Sequence, residues 1–172
     1  MAGSRSLLAA VTAVALVLVA ASAPASQARL AVGAEAPDFA LRTAAGGNLR
    51  LSELRGDVVL LNFWATWCGP CRQEMPRLEE IHARYSAAGL TLLGVNIDED
   101  PARAERLASE LGVSFPLLFD DEQQVSRIYD VQAMPMTVLI DKDGRVRSVH
   151  HGYQPGVETL YVDGVRALLR ED

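Results

Sequence analysis

The chain has 172 residues, with two Cys, three His, and 22 acidic against 16 basic side chains, for a net charge of −6 at pH 7. Hydrophobic residues make up 49% and charged residues 22%, which fits one ordinary globular domain with an extra apolar segment and excludes a collagen, a disordered chain and a multi-pass membrane protein. Two Cys allow at most one bridge, which excludes a disulfide-stapled miniprotein, and the acidic balance leaves no electrostatic footprint for nucleic acid.

Residues 1–28 read as an export signal. Arg5 is the only charge before Arg29, and residues 7–23 (LLAAVTAVALVLVAASA) carry none. A basic start, an apolar middle and a small-residue end are the parts of such a signal. Ala21-Ser22-Ala23 has the A-x-A form, but Pro24 would follow the cut. Ser26-Gln27-Ala28 is the better site, so cleavage is expected after Ala28. The alternative is an uncleaved anchor through residues 7–23, a stretch at the lower edge of what spans a bilayer. Export places the chain in an oxidising compartment, where a lone Cys pair invites a redox reading.

Residues 29–37 (RLAVGAEAP) look like a loose leader to a domain over 38–172. Residues 39–42 and 48–51 flank Ala44-Ala45-Gly46-Gly47 and predict a hairpin, with Ser52 capping a short turn that ends near Gly56. The apolar run 58–64 (VVLLNFW) predicts a strand buried on both faces. Residues 70–88 predict a helix whose stripe is Met75, Leu78, Ile81, His82 and Tyr85, closed by Gly89. On that stripe His82 reads as a satisfied core histidine. Residues 90–97 predict a second buried strand.

A helix over 101–111 follows the acidic run Asp98-Glu99-Asp100, which suits a positive helix N-terminus, and ends at Gly112. Residues 116–119 predict a short strand, 122–129 a short helix and 136–140 another strand. Asp143-Gly144 turns the chain into 146–150, making an antiparallel hairpin, and 157–169 is the closing helix. The alternation implies an α/β domain with a mixed sheet covered on both faces. Asp98-Glu99-Asp100 and Asp120-Asp121-Glu122 read as helix-cap acids, since they lack the spacing of a calcium loop. His150-His151 gains no role.

The chemistry concentrates at Trp67-Cys68-Gly69-Pro70-Cys71, between a buried strand and a helix start. Two Cys three apart at a helix N-terminus can close a small disulfide ring. Unpaired backbone N–H groups there favour a thiolate at Cys68, which makes it the attacking sulfur. Pro70 fits a first turn because its missing N–H is not needed. Cys71, one step inside the helix, can resolve a mixed disulfide formed at Cys68. Zinc would need three or four ligands, and His82, His150 and His151 lie in unrelated elements, so no metal site is expected. A purely structural bridge around so short a loop would restrain little chain entropy. Trp67 reads as a flat apolar shield for the disulfide, with a strand-end core aromatic as the competing role. Trp64 reads as core.

These residues resemble the thioredoxin superfamily. NFWATWCGPC is similar to its strand-then-motif signature, and Met134-Pro135 before MTVLID to its cis-proline loop. More narrowly, the chain resembles the exported TlpA/ResA-like thiol–disulfide reductases, from about Val32 to Leu169, including the N-terminal hairpin and a central αβ insert at about 98–130. The resemblance implies a thioredoxin-like fold, with Cys68 as nucleophile and Cys71 as resolving thiol. It implies a cis Pro135 that sets the Met134 backbone beside the sulfurs to pair with a substrate strand. Asn62 stands where thioredoxin has a buried acid, and cannot handle a proton. Glu74, three residues after Cys71, stands where this branch has an active-site acid that tunes or relays the Cys71 proton. The alternative for Glu74 is a first-turn acid that complements the helix dipole.

The expected activity is reduction of disulfides in exported proteins, of the cytochrome c maturation or copper-site assembly type. A GAPE-type segment of the cytochrome branch is not matched; the chain reads VQAMP at 131–135. Expected partners are a disulfide-containing client protein and a membrane thiol electron donor, with the chain a monomer and no cofactor beyond the Cys pair. Three alternatives differ in class. A disulfide oxidase of similar fold is disfavoured by Gly69-Pro70. A peroxiredoxin-like peroxidase is disfavoured because Ala65 stands where its motif has Thr. A copper chaperone would use Met134 as an extra ligand.

Overall fold

β3 (Val58–Trp64) is buried at every position, and the sheet is built outward from it. The protein is described by a computed structural model over residues 30–171; the export segment and its cleavage site lie outside the described residues. β1 (Ala40–Thr43) and β2 (Asn48–Arg50) form the N-terminal hairpin. β4 (Leu90–Asn96) lies parallel to β3, and β5 (Leu117–Phe119) parallel to β4. β6 (Met136–Ile140) and β7 (Val146–His151) run antiparallel on the other side of β3. The seven-stranded order is β2-β1-β5-β4-β3-β6-β7, so β3 is interior and β7 is an edge.

Successive side chains on a strand point to opposite faces. Val58, Leu60 and Trp64 join one core with Met75, Leu78 and Ile81 of α1 (Gly69–Tyr85), Leu107 of α2 (Pro101–Glu110) and Tyr161 of α4 (Glu158–Leu168). Val59, Leu61 and Phe63 join the other, beneath α3 (Gln124–Ile128), Ala36, Phe39 and Leu51. This is the thioredoxin-like arrangement the sequence implies, with α2, β5 and α3 as its central insert. Asn62, even-numbered on β3, falls on the α1–α4 face.

Three local expectations are corrected. The leader is not loose: Ala36 is buried, and Gly33 N–H donates to Val146, Val146 N–H to Ala34, and Ala36 N–H to Gly144. Unsatisfied backbone groups at the start of β7 draw the segment in. Ser52 caps nothing; its N–H and hydroxyl both donate to the Asp38 carboxylate, and the short turn Leu51–Leu54 starts without a side-chain cap. His82 is half-buried with its edge toward the Phe115 ring, but its buried Nδ1 has no hydrogen-bond partner among the described residues.

Candidate functional site

β3 delivers the chain to the carboxyl end of the sheet, and α1 leaves from the same place. Between them the Thr66 N–H and hydroxyl both donate to the buried Asp98 carboxylate, each at 2.8 Å. Asn96 Nδ2 donates to the same carboxylate at 2.7 Å, and Asp98 N–H to Asn96 Oδ1 at 3.0 Å. Asp98 therefore braces the motif loop rather than capping α2. The cap is Asp100, whose carboxylate accepts the Ala102 N–H. Asp120 does hold a helix start, accepting the Val125 and Ser126 N–H groups.

Cys68 is the N-cap residue of α1, with Gly69 and Pro70 opening the helix. It is disulfide-bonded to Cys71, and its Sγ accepts the Cys71 N–H at 3.1 Å. A sulfur held there faces the unpaired N–H groups and positive dipole end of the helix, which favour a thiolate once the bond is reduced. Cys68 is 5% exposed and Cys71 fully buried. Attack from outside is thus directed at Cys68.

Trp67 stands 64% exposed beside the disulfide, which overturns its competing core role; Trp64 is fully buried, as expected of it. The Met134-Pro135 bond is cis. The Pro135 carbonyl accepts the Gly152 N–H at 2.7 Å, which ties the loop to the end of β7. Among the described residues, the Met134 N–H and C=O engage no other backbone group. A cleft of about 740 Å³ runs from Trp67, Cys68 and Pro70 to Gln132 and Met134. Its far wall is Gln123, Arg127 and Asp130, so the central insert forms one side of the approach to the sulfur.

Glu74 lies one turn below Cys71 and is fully buried, so it does not serve as a surface acid complementing the dipole. Its Oε1 accepts from Tyr161 OH at 2.8 Å and from Thr137 Oγ1 at 3.2 Å, and its Oε2 accepts from Asn62 Nδ2 at 2.8 Å. Asn62 Nδ2 also donates to Thr137 Oγ1 at 2.9 Å. Burial pushes the Glu74 carboxyl above the ordinary carboxylate range. The bonds from Tyr161, Asn62 and Thr137 pull against that rise, and the Glu158 charge adds to it. No cation joins the cage among the described residues. Asn62 transfers no proton itself, yet it holds the group that can; its Oδ1 is buried without a partner.

Sequence reasoning located Cys68, Cys71, Glu74 and the cis-proline pair, but missed Thr137, Tyr161 and Asp98. A polar Thr inside the apolar run MTVLI was a usable signal. Tyr161 carried none, because an aromatic on an amphipathic stripe reads as core. His150, also given no role, packs edge-to-face on Tyr161 with the ring centroids 5.1 Å apart, and burial and then the His151 charge hold it below the ordinary imidazole range.

Residues 32–149 match the AhpC/TSA family. The thiol-disulfide oxidoreductase ResA of Geobacillus kaustophilus is 43% identical over 123 residues, 72% of this chain and 71% of that one. ResA of Bacillus subtilis is 37% identical over 120 residues, 70% and 67% of the two chains. Among solved structures, the Chlorobium tepidum protein assigned as the thiol:disulfide interchange protein DsbE superposes with a TM-score of 0.78 at 38% identity, covering 81% of this chain and 99% of that one. A cysteine pair at a helix start, a cis-proline loop beside it and these relatives agree: the chain belongs to the AhpC/TSA family, and within it to the thiol–disulfide oxidoreductases.

Proposed function

We propose that the chain is an exported reductase that passes two electrons from a membrane thiol donor to disulfides of other exported proteins, of the kind needed for cytochrome c maturation or copper-site assembly. Reduced Cys68 attacks one sulfur of a client disulfide. A Cys68–client bond forms, and the second client sulfur leaves as a thiolate that takes up a proton. Glu74 accepts the Cys71 proton, the Cys71 thiolate attacks the Cys68 sulfur, and the client departs fully reduced, leaving the Cys68–Cys71 disulfide. Exchange at the donor then regenerates both thiols. Gly69 and Pro70 shape the helix start, Trp67 offers apolar area to the client, and the free Met134 backbone beside Pro135 pairs with the client strand.

The observation that carries this reading is the asymmetry of the two sulfurs. Cys68 sits at the N-cap with an open cleft beside it, and Cys71 is buried one turn above a caged carboxyl. Residues 1–28 act as the export signal or, if uncleaved, as an anchor, and the domain over 38–172 works as a monomer without a further cofactor.

A Cys71→Ser variant expressed in the native host tests the client claim. Without the resolving thiol, Cys68 is expected to retain exported clients as mixed disulfides that mass spectrometry identifies. An empty trap with the donor present removes the protein-substrate reading. Direction is tested by equilibration with glutathione: a potential near about −120 mV would make the protein an oxidase instead.

A further inference from the structure

A second feature lies against the redox motif, on the α2 side. Arg72, Arg103 and Arg106 line one recess of about 210 Å³ together with Thr66, Leu107 and Glu110. Thr66 precedes Cys68 by two residues and Arg72 directly follows Cys71, so the recess adjoins the site. All three arginines are exposed. Arg42, Arg50, Arg55, Arg77 and Arg147 each hold an acid; none of these three does so among the described residues. Other arginines, such as Arg84 and Arg166, also lack an acid partner among the described residues; what sets these three apart is that they share one recess beside the Cys pair in a chain of net charge −6.

The helix dipole does not account for it. Arg72 closes the first turn of α1 and Arg103 lies in the first turn of α2; neither first turn contains an acid. A cation at a helix N-terminus is opposed by the helix dipole; the Asp100 cap offsets this at Arg103, while the start of α1 has no such acid beside Arg72. Arg103 and Arg106 are three apart on one face, so both guanidinium groups can meet one anionic chain. The lone acid at the rim, Glu110, leaves the recess net positive.

We propose that Arg72, Arg103 and Arg106 form a docking site for an acidic peptide segment, one or two carboxylates lying near the reactive Cys in the chain of a protein partner. Guanidinium groups pair with carboxylates through two parallel hydrogen bonds, which fixes orientation as well as charge. The site selects which disulfide is presented to Cys68, and it acts mainly by speeding productive encounter. It rests on the reductase reading and names the partner chemistry of that same site.

The test uses the intact protein, reduced and freed of reductant, and two disulfide peptides that differ only in flanking residues: Asp and Glu in one, Ser and Gln in the other. Single-turnover reduction is followed by chromatography. The acidic peptide is expected to react about tenfold faster at low salt, with the advantage fading at about 0.5 M NaCl as screening shortens the reach of the charges. In the R103Q/R106Q and R72Q/R103Q/R106Q variants the ratio of the two rates is expected to approach one. The first variant leaves the residues next to the sulfurs untouched, and glutamine keeps much of each aliphatic stem. Equal rates in the unaltered protein overturn the proposal, as does a preference that survives in both variants. Arginine-dependent binding to phosphatidylglycerol vesicles without any peptide preference also overturns it, in favour of a lipid surface. Reduction of neither peptide overturns the reductase reading itself, and the docking site with it.

Discussion

Glu74 is a buried carboxyl held by three donors, with no cation paired to it among the described residues. Its folded-state affinity for a proton exceeds that of the unfolded chain. Stability from this group is therefore greatest at low pH and declines as pH rises from the ordinary carboxylate range through the raised value. Glu74→Gln removes that decline. The variant is expected to gain about 1–2 kcal/mol on the parent at pH 8, a gain that vanishes near pH 4, in urea unfolding at both pH values. The same variant is expected to flatten the pH profile of thiol alkylation in the reduced protein; an unchanged profile removes Glu74 from proton transfer. Tyr161→Phe deletes one donor to the carboxylate and leaves the packing. It is expected to shift the Glu74-dependent step of that profile upward by about one pH unit, the worth of a hydrogen bond to a charged group. A Tyr161 that served only as core would leave the step in place.

At the scale of elements, the site depends on how the loop from β3 to α1 is held. Asp98 accepts three hydrogen bonds there, two of them from Thr66. Asp98→Ala would leave the Thr66 N–H and hydroxyl without their acceptor, and is expected to cost about 2–4 kcal/mol in urea unfolding. An Asp98 whose only duty was helix capping would cost about 1 kcal/mol. Such roles are hidden from sequence periodicity for a definite reason. The β3 run, the α1 stripe and the Cys pair are local patterns, visible within a dozen residues. Thr66 meets Asp98 across 32 residues, Thr137 meets Glu74 across 63, and Tyr161 meets Glu74 across 87. Of those partners only Thr137, polar within an apolar strand, carries a local mark; the family resemblance marked Glu74 itself, but not what surrounds it. The boundary of α3 slipped for a related reason. Gln123 takes a left-handed backbone at φ 55°, and Asp120 bonds the N–H groups of Val125 and Ser126, so the helix begins later than its acidic run implied.

Across the whole molecule the two ends of the sheet have separate duties. The carboxyl ends of β3 and β4, with the start of β6, carry the disulfide, the brace and the cis-proline. The opposite end, at the Asp143-Gly144 turn, is closed by the leader. Three backbone hydrogen bonds hold it there, Ala36 is buried, and the Tyr129 hydroxyl donates to the Pro37 carbonyl at 2.7 Å. Composition alone made this segment look loose, because Gly and Ala carry little hydrophobic signal; its anchoring comes from backbone groups, which every residue type has. Deleting residues up to Pro37 exposes the start of β7 and strips Tyr129 of its acceptor. The expected loss is about 2–4 kcal/mol in urea unfolding, while the glutathione equilibrium of the Cys pair stays where it is, because the segment lies at the other end of the sheet. A shifted redox equilibrium in the shortened protein would show that the two ends are coupled.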